Sequence, residues 1–354
     1  MIAVCGNLTT SKIMIFPEFL KQGCTIGVTA PSHSINDEQG QARFKNAVRQ
    51  LKNRGYETFF TDDVFSPGDA FGRSASADVK AKEFNELVRS KEIAAIHSAS
   101  GGDFLAEMLE YVDIDLFKAN PKWVQGYSDN TSLLFYLTTK ADVATAYGAN
   151  FGDYGMEPWQ ECVERGINIL EGKVTIQDSF EAYQDGFGER NSGLEGYECD
   201  TKVNWEVITG DGFMEGRLLG GCLDVLSNIA GTKFDGALDF AEKYKKDGII
   251  WFLESFDLGF EQMMETLWKL KTMGWFDTAK GFVFGRPLFY KAEDFSGNPL
   301  PTYKDVLLEQ LSDFNAPIIM NADVGHKGPQ FVMVNGARAK VESKDGKGRV
   351  TFVQ

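Results

Sequence analysis

From Thr25 to about Phe151 short apolar runs alternate with stretches of helical periodicity. Thr25–Ala30 reads as a strand, and Phe44, Ala47, Val48 and Leu51 follow at i, i+3, i+4 and i+7, one face of a helix that Gly55 ends. Tyr56–Phe60, Ile93–Ile96 and Trp123–Gly126 are further strand candidates. Between them Phe84, Leu87 and Val88 mark a second helix, and Gly101-Gly102 opens a third carrying Phe104, Leu105, Met108 and Leu109. Leu133, Leu134 and Leu137 mark a fourth. The alternation predicts a parallel sheet covered on both faces, with functional loops at the carboxyl ends of its strands.

Between residues 152 and 210 the periodicity fades and Gly, Asp, Glu and aromatic residues dominate, which reads as a linker or insertion. Organised structure resumes at Glu215–Cys222, followed by strands at Gly248–Leu253, Phe282–Phe284 and Pro317–Met320 and helices over Gln262–Met273 and Tyr303–Leu311. Phe331–Val334, Ala337–Glu342 and Arg349–Val353 read as closing strands, the last two joined by a Gly-rich hairpin turn. The expected division is a sheet domain over 16–151, a linker or insertion over 152–210 and a second, more β-rich domain over 211–354. A chain of 354 residues is long enough for two cores.

Charge narrows the partners. Thirty-six Lys and Arg against 51 Asp and Glu leave a formal net charge of −15, which repels phosphate backbones and anionic lipid. A nucleic-acid or membrane-surface role is therefore not expected. No run approaches about eighteen apolar residues, so no spanning helix is expected. Met1–Phe16 lacks a basic segment followed by an apolar core and does not read as a secretion signal. The five cysteines (Cys5, Cys24, Cys162, Cys199, Cys222) are odd in number and show no C-x-x-C spacing. That pattern indicates neither a zinc site nor a disulfide framework and fits buried or free thiols in a reducing compartment, so a cytoplasmic protein is expected. No metal or cofactor motif appears; the first strand–helix junction, Ala30–Ser34, has no G-x-G-x-x-G, which argues against a nucleotide-binding dehydrogenase.

The candidate chemistry is sparse enough to follow residue by residue. Histidine occurs at His33, His97 and His326 only, so an imidazole base is one of three. Ser128 stands where an apolar strand meets a helix; such a turn projects the hydroxyl outward and aims the following N–H, that of Asp129, at a developing oxyanion. A lipase-type elbow has glycine two residues after the serine, and this chain has Asn130. The alternative is that Ser128 or Asp129 only caps the helix. Gly101 and Gly102, after the preceding strand, offer a second oxyanion donor or a plain turn. Glu254 ends a buried strand, where a carboxylate holds a histidine tautomer or is merely solvated. His326 lies in the glycine-flanked loop Asp323–Pro329, as a base or as an exposed loop histidine.

Taken in order, five motifs resemble the LD-carboxypeptidase family, which includes the microcin C self-immunity peptidases. They are Gly126-Tyr127-Ser128-Asp129 with Thr131, Gly-Arg-Leu-Leu-Gly-Gly at 216–221, Leu253-Glu254, Gly285-Arg286 and Val324-Gly325-His326. Thr29-Ala30-Pro31-Ser32 and Ala95–Leu109 look like the family's opening strand and glycine turn, and the likeness runs from about Cys24 to Val353.

The resemblance implies an α/β protein: a flavodoxin-like N-terminal domain related to class I glutamine amidotransferases, plus a β-rich α/β C-terminal domain. It implies a serine peptidase with Ser128 as nucleophile, His326 as acid–base and Glu254 as orienting carboxylate. Backbone N–H groups of Asp129 and of Gly101 or Gly102 would form the oxyanion hole. It further implies a cytoplasmic homodimer needing no metal or other cofactor, acting on a small peptide or peptide–nucleotide conjugate. One branch of the family removes D-alanine from murein tetrapeptides during cell-wall recycling; the other cleaves the amide between a peptide's aspartate and a nucleotide-like group.

Length and the long middle segment are closer to the second branch. Asp103 follows Gly102 where the murein branch has Tyr-Gly, and Trp159, Tyr197 and Trp205 lie in the middle segment. An aromatic there stacks on a base or ring, or packs the segment down. Trp205 and Asp103 are accordingly candidate substrate contacts. Cys222 stands where the family pattern has asparagine and Met264 where it has a basic residue; both departures bear on fine specificity. The rival reading, a catalytically inactive ligand-binding protein of the same fold, requires a broken triad, and all three positions are filled.

Overall fold

Apolar strand segments too short to stand alone assemble here into two main sheets that share one helix as core. The computed structural model describes residues 14–294 and 296–353; Cys5 and the stretch Met1–Ile13 lie outside the described residues. The first sheet is built from Thr25–Thr29 (β1), Glu57–Phe60 (β2), Ile93–Ser98 (β3), Trp123–Gly126 (β4) and Thr145–Tyr147 (β5). These lie parallel in the order β5-β4-β3-β1-β2. The buried runs of β3 and β4 are the continuous apolar type that a sheet covered on both faces requires. The expected first helix forms over Glu38–Asn53, capped by the Asp37 side chain and burying Phe44, Ala47 and Leu51.

The second sheet uses residues from 176 onward. Its strands are Ile176–Asp178 (β6), Glu206–Thr209 (β9), Phe213–Cys222 (β10), Ile249–Glu254 (β11), Ala279–Gly285 (β12), Ile318–Ala322 (β13), Arg338–Lys344 (β15) and Lys347–Val353 (β16), in the order β6-β16-β15-β10-β11-β12-β13-β9. Ala182–Tyr183 (β7) and Thr201–Lys202 (β8) pair separately. β10 to β13 run parallel, so this lobe too has carboxyl strand ends on one side. Met333–Asn335 (β14) leaves the second lobe and adds to the first sheet, antiparallel to β5. That crossing ties the lobes together.

Residues 152–210, expected as a linker or insertion, supply a helix over Glu161–Leu170 and both edge strands of the second sheet, β6 against β16 and β9 against β13. One expectation is corrected. The helix expected after Gly102 is a 3-10 stretch over Leu105–Tyr111, because the Asp129 carboxylate accepts the Leu105 N–H and Phe104 turns left-handed ahead of it. The helix over Thr131–Ala141 is buried on nearly every side. From it Phe135 stacks on Trp275 at 5.2 Å, and Trp275 on Trp251 of β11 at 5.4 Å. The nucleophile candidate thus opens a 3-10 turn, Ser128–Asn130, leading into a helix that is itself core between the lobes. No helix among the described residues is long and apolar enough to cross a membrane.

Candidate active site

Loops from the carboxyl ends of β1, β3 and β4 converge on Ser128. The residue has φ 67°, left-handed backbone that costs a non-glycine residue about 1–3 kcal/mol and persists only where neighbours hold it. Asn130 is one such neighbour. Its Nδ2 donates to Tyr127 O at 2.9 Å, to Ser100 O at 3.0 Å and to Asn150 Oδ1 at 3.1 Å, locking the turn to the loop after β3. This is what asparagine does where a lipase elbow has glycine. The Tyr127 N–H donates to Asn150 Oδ1 and the Ser128 N–H to the Tyr147 hydroxyl, both at 3.2 Å.

The second lobe brings two side chains to this turn. Ser128 Oγ lies 3.0 Å from His326 Nε2, and His326 Nδ1 lies 2.8 Å from Glu254 Oε2. A carboxylate only accepts, so Nδ1 carries the proton and Nε2 is free to accept from Ser128. Glu254 closes β11 at 0% exposure, and His326, at 9%, follows β13. Gly325 lets them meet: its φ is 98°, and a Cβ there would sit 2.6 Å from Glu254 Oε2. The imidazole lies between the Phe256 ring at 4.8 Å and the Tyr127 ring at 5.2 Å.

Burial opposes charge on both partners, and their pairing overrides it. Desolvation alone lowers the His326 pKa, but the Glu254 charge and hydrogen bond lift it above its ordinary value. Desolvation likewise pushes Glu254 up, while His326, Tyr147 and Cys222 hold it below the usual carboxylate range. The other two histidines stand elsewhere. His97 is fully buried against Tyr154, with burial lowering its pKa to about 3. His33 Nε2 sits 3.8 Å from Asp103.

Donors for an oxyanion are to hand. A Cβ on Gly101 would lie 3.0 Å from Ser128 Oγ, so this loop passes against the hydroxyl. Among the described residues the N–H groups of Gly101 and Gly102 have no acceptor. The Asp129 carboxylate accepts from Ser32 Oγ at 2.6 Å and from the Leu105 N–H at 3.0 Å; burial lifts its pKa to about 6. Its side chain therefore braces the loops.

The two candidate substrate contacts part ways. The Asp103 side chain is 73% exposed beside His33. Trp205 is not a contact. It is 1% exposed, packs on Phe331 and donates its indole N–H to Asp323 Oδ2 at 3.1 Å, because the segment that carries it is woven into the second sheet. That bond, with the Arg286–Asp323 ion pair at 2.7 Å, fixes the loop bearing His326.

A cavity of about 370 Å³ opens beside His326, lined by Gln39, Tyr127, Gln184, Phe187 and Tyr197 among others. A neighbouring one of about 270 Å³ shares Gln39, Arg43, Tyr127 and Arg190 with it and reaches Gly101. Residues 184–197 form the outer wall. Phe187 is 66% exposed and leans on Phe256 and Phe289. Tyr147, Asn150 and Phe187 had no signal in the sequence: a tyrosine closing a three-residue strand reads as core, and a phenylalanine in a polar stretch reads as nothing. No group of His, Cys, Asp or Glu suited to a metal ion occurs among the described residues.

Family models described as the LD-carboxypeptidase N-terminal and C-terminal domains match residues 26–148 and 215–341. The Microcin C7 self-immunity protein MccF of Escherichia coli is 25% identical over 344 residues, 91% of this chain and 92% of its own. A structure of MccF in complex with aspartyl sulfamoyl adenosine superposes with a TM-score of 0.79 at 27% identity, covering 96% of this chain and 99% of that one. An MccF-like protein from Bacillus anthracis str. Ames gives 0.76 at 26% identity, covering 96% and 99%. A Bacillus subtilis (strain 168) protein named a probable murein peptide carboxypeptidase is 23% identical, covering 93% of this chain and 92% of its own.

Proposed function

The chain belongs to the LD-carboxypeptidase family, and on that premise we propose that it is a serine carboxypeptidase or amidase cleaving an amide near the C-terminus of a small peptide. The reading is carried by one observation, the unbroken chain of contacts from Ser128 Oγ through His326 to Glu254 at 3.0 and 2.8 Å. An alcohol attacks an amide at neutral pH only if a base takes its proton as it does so. In this reading His326 Nε2 takes that proton while Ser128 Oγ bonds to the carbonyl carbon. Glu254 stabilises the imidazolium, and the N–H groups of Asp129 and of Gly101 or Gly102 receive the oxyanion. His326 returns the proton to the leaving amine as the C–N bond breaks. Water then repeats the sequence on the acyl-enzyme and frees the acid.

For the substrate, a peptide joined by an amide to a nucleotide-like group is favoured. The likeness to MccF runs over nearly the whole of both chains, and the exposed Phe187 ring beside the His326 cavity offers a flat apolar face. The second reading, a murein tetrapeptide losing its terminal D-alanine, draws on the Bacillus subtilis relative. Incubation of the purified protein with each substrate, followed by mass spectrometry, tests both. The expected result is cleavage of the aspartyl–nucleotide amide, abolished in Ser128→Ala. Cleavage by Ser128→Ala at the wild-type rate overturns the serine mechanism, and exclusive loss of D-alanine replaces the first substrate with the second.

A further inference from the structure

We propose that Tyr147 is the positioning residue that joins the nucleophile turn of one lobe to the acid of the other. Its hydroxyl donates to Glu254 Oε1 at 2.5 Å and accepts from the Ser128 N–H at 3.2 Å. One oxygen therefore touches both ends of the Ser128–His326–Glu254 chain without belonging to it. This rests on the serine-hydrolase reading and adds a part to it.

The placement is tightly made. Tyr147 closes β5 at 0% exposure, opposite Gly126 on one side and Met333 of the crossing strand β14 on the other. Its ring lies 6.4 Å from the Tyr127 ring and 5.7 Å from that of Phe252 on β11, so it sits between the sheets. Removing the hydroxyl alone leaves that packing intact.

Two consequences follow. The Ser128 N–H, whose direction is set by the left-handed turn, is consumed by Tyr147, so it is not an oxyanion donor; that role falls to Asp129 and the glycine loop. Glu254 has two oxygens in a desolvated site, and the one not facing His326 is held by Tyr147. A phenol in this setting remains a donor, since burial and the Glu254 charge keep its pKa well above the ordinary value. Without that donor the carboxylate holds a proton, or a protonated imidazole, more strongly. The apparent pKa of the His326–Glu254 pair then rises.

The test uses a fluorophosphonate that labels an activated serine, so no natural substrate is needed. Wild type is expected to label at Ser128 with a rate that falls at low pH as the base protonates. Tyr147→Phe is expected to label roughly 10- to 100-fold more slowly, because a hydrogen bond to a charged group is lost. Its acid limb is expected to move to higher pH by about half a unit or more. Fluorotyrosine in place of Tyr147 keeps the shape and strengthens the donor, so its limb moves to lower pH; this arm also decides the matter if Tyr147→Phe does not fold. The other titratable groups facing the pair are Cys222 at the end of β10, Asp224 just after it, Tyr127 and Tyr303. They are the same in every variant, so an opposed pair of shifts reports Tyr147. Wild-type rate and limb in Tyr147→Phe, or limbs moving the same way in both variants, overturn the proposal. Failure of wild type itself to label at Ser128 overturns the serine reading instead.

Discussion

The floor and the outer wall of the cavity beside His326 are built on opposite principles. In the floor Tyr147 and Glu254 are fully buried, His326 nearly so, and each polar side-chain atom named above has a fixed partner. The wall, residues 184–197, is tied to the first lobe through its main-chain carbonyls and braced within itself by the Glu195 carboxylate, which accepts from the Asn191 and Ser192 N–H groups. Gln39 Nε2 donates to Arg190 O at 2.8 Å, and Arg43 Nη1 donates to the carbonyls of Gly193 and Glu195 at 2.7 and 2.9 Å. Phe187, Glu189 and Arg190 are left exposed. Backbone carbonyls are the same whatever side chain follows, so the exposed Phe187, Glu189 and Arg190 can change without disturbing those anchors, whereas the floor cannot change one atom cheaply. On the proposed function, chemistry is fixed below and recognition is variable above.

The largest break in this contrast is Glu254→Gln. The amide keeps the shape but holds the imidazole in the wrong tautomer, and turnover is expected to fall by about 10⁴-fold. The pH profile carries a second sign. As the proposed base His326 acts only when neutral, and Glu254 raises its pKa, so in wild type kcat/KM is expected to be lost as pH falls through a value above about 6.5. With the charge gone, burial dominates and the limb moves to lower pH. Titration of kcat/KM in both proteins checks this, and an unmoved limb would separate Glu254 from His326.

A smaller effect is expected one step out. Asp323 is fully buried and accepts from Arg286, from the Trp205 indole and from the Phe180 N–H at 3.1 Å. Asp323→Asn leaves Arg286, only 3% exposed, without a counter-charge, at a cost of about 3–5 kcal/mol in unfolding free energy. Denaturant titration measures it. A midpoint equal to wild type would mean that the loop carrying His326 is held by something other than this pair.

How much of this was legible follows the same division. Ser128, Glu254 and His326 stand at the ends of apolar strands that local pattern reveals, and the ordered motifs single them out. Most strands of the parallel sheets are predicted within a few residues, Gly248–Leu253 against Ile249–Glu254 for instance. Residues 152–210 misled because their strands are two to four residues long and pair far along the chain, Ile176 with Thr351 and Thr209 with Ile318. Nothing local marks such a strand, so Trp205 reads as a free aromatic although it is core. Tyr147 was silent for the converse reason. Its three-residue strand is wholly buried, and what matters is a hydroxyl meeting two groups from elsewhere in the sequence.

The gentlest perturbation is the one that sharpens the comparison most. Phe187 leans on Phe256 and Phe289 at 6.5 and 6.0 Å, and the backbone beside it is held by the Gln184 N–H donating to Gly328 O at 2.9 Å. Phe187→Ala removes an apolar face without touching that bond, so KM for the aspartyl–nucleotide amide is expected to rise about 3- to 10-fold, the worth of one aromatic contact. The fluorophosphonate, too small to reach the wall, should label Ser128 at the wild-type rate. If labelling slows as much as turnover does, Phe187 acts through Phe256 on the His326 ring, 4.8 Å further in, and the wall is part of the floor.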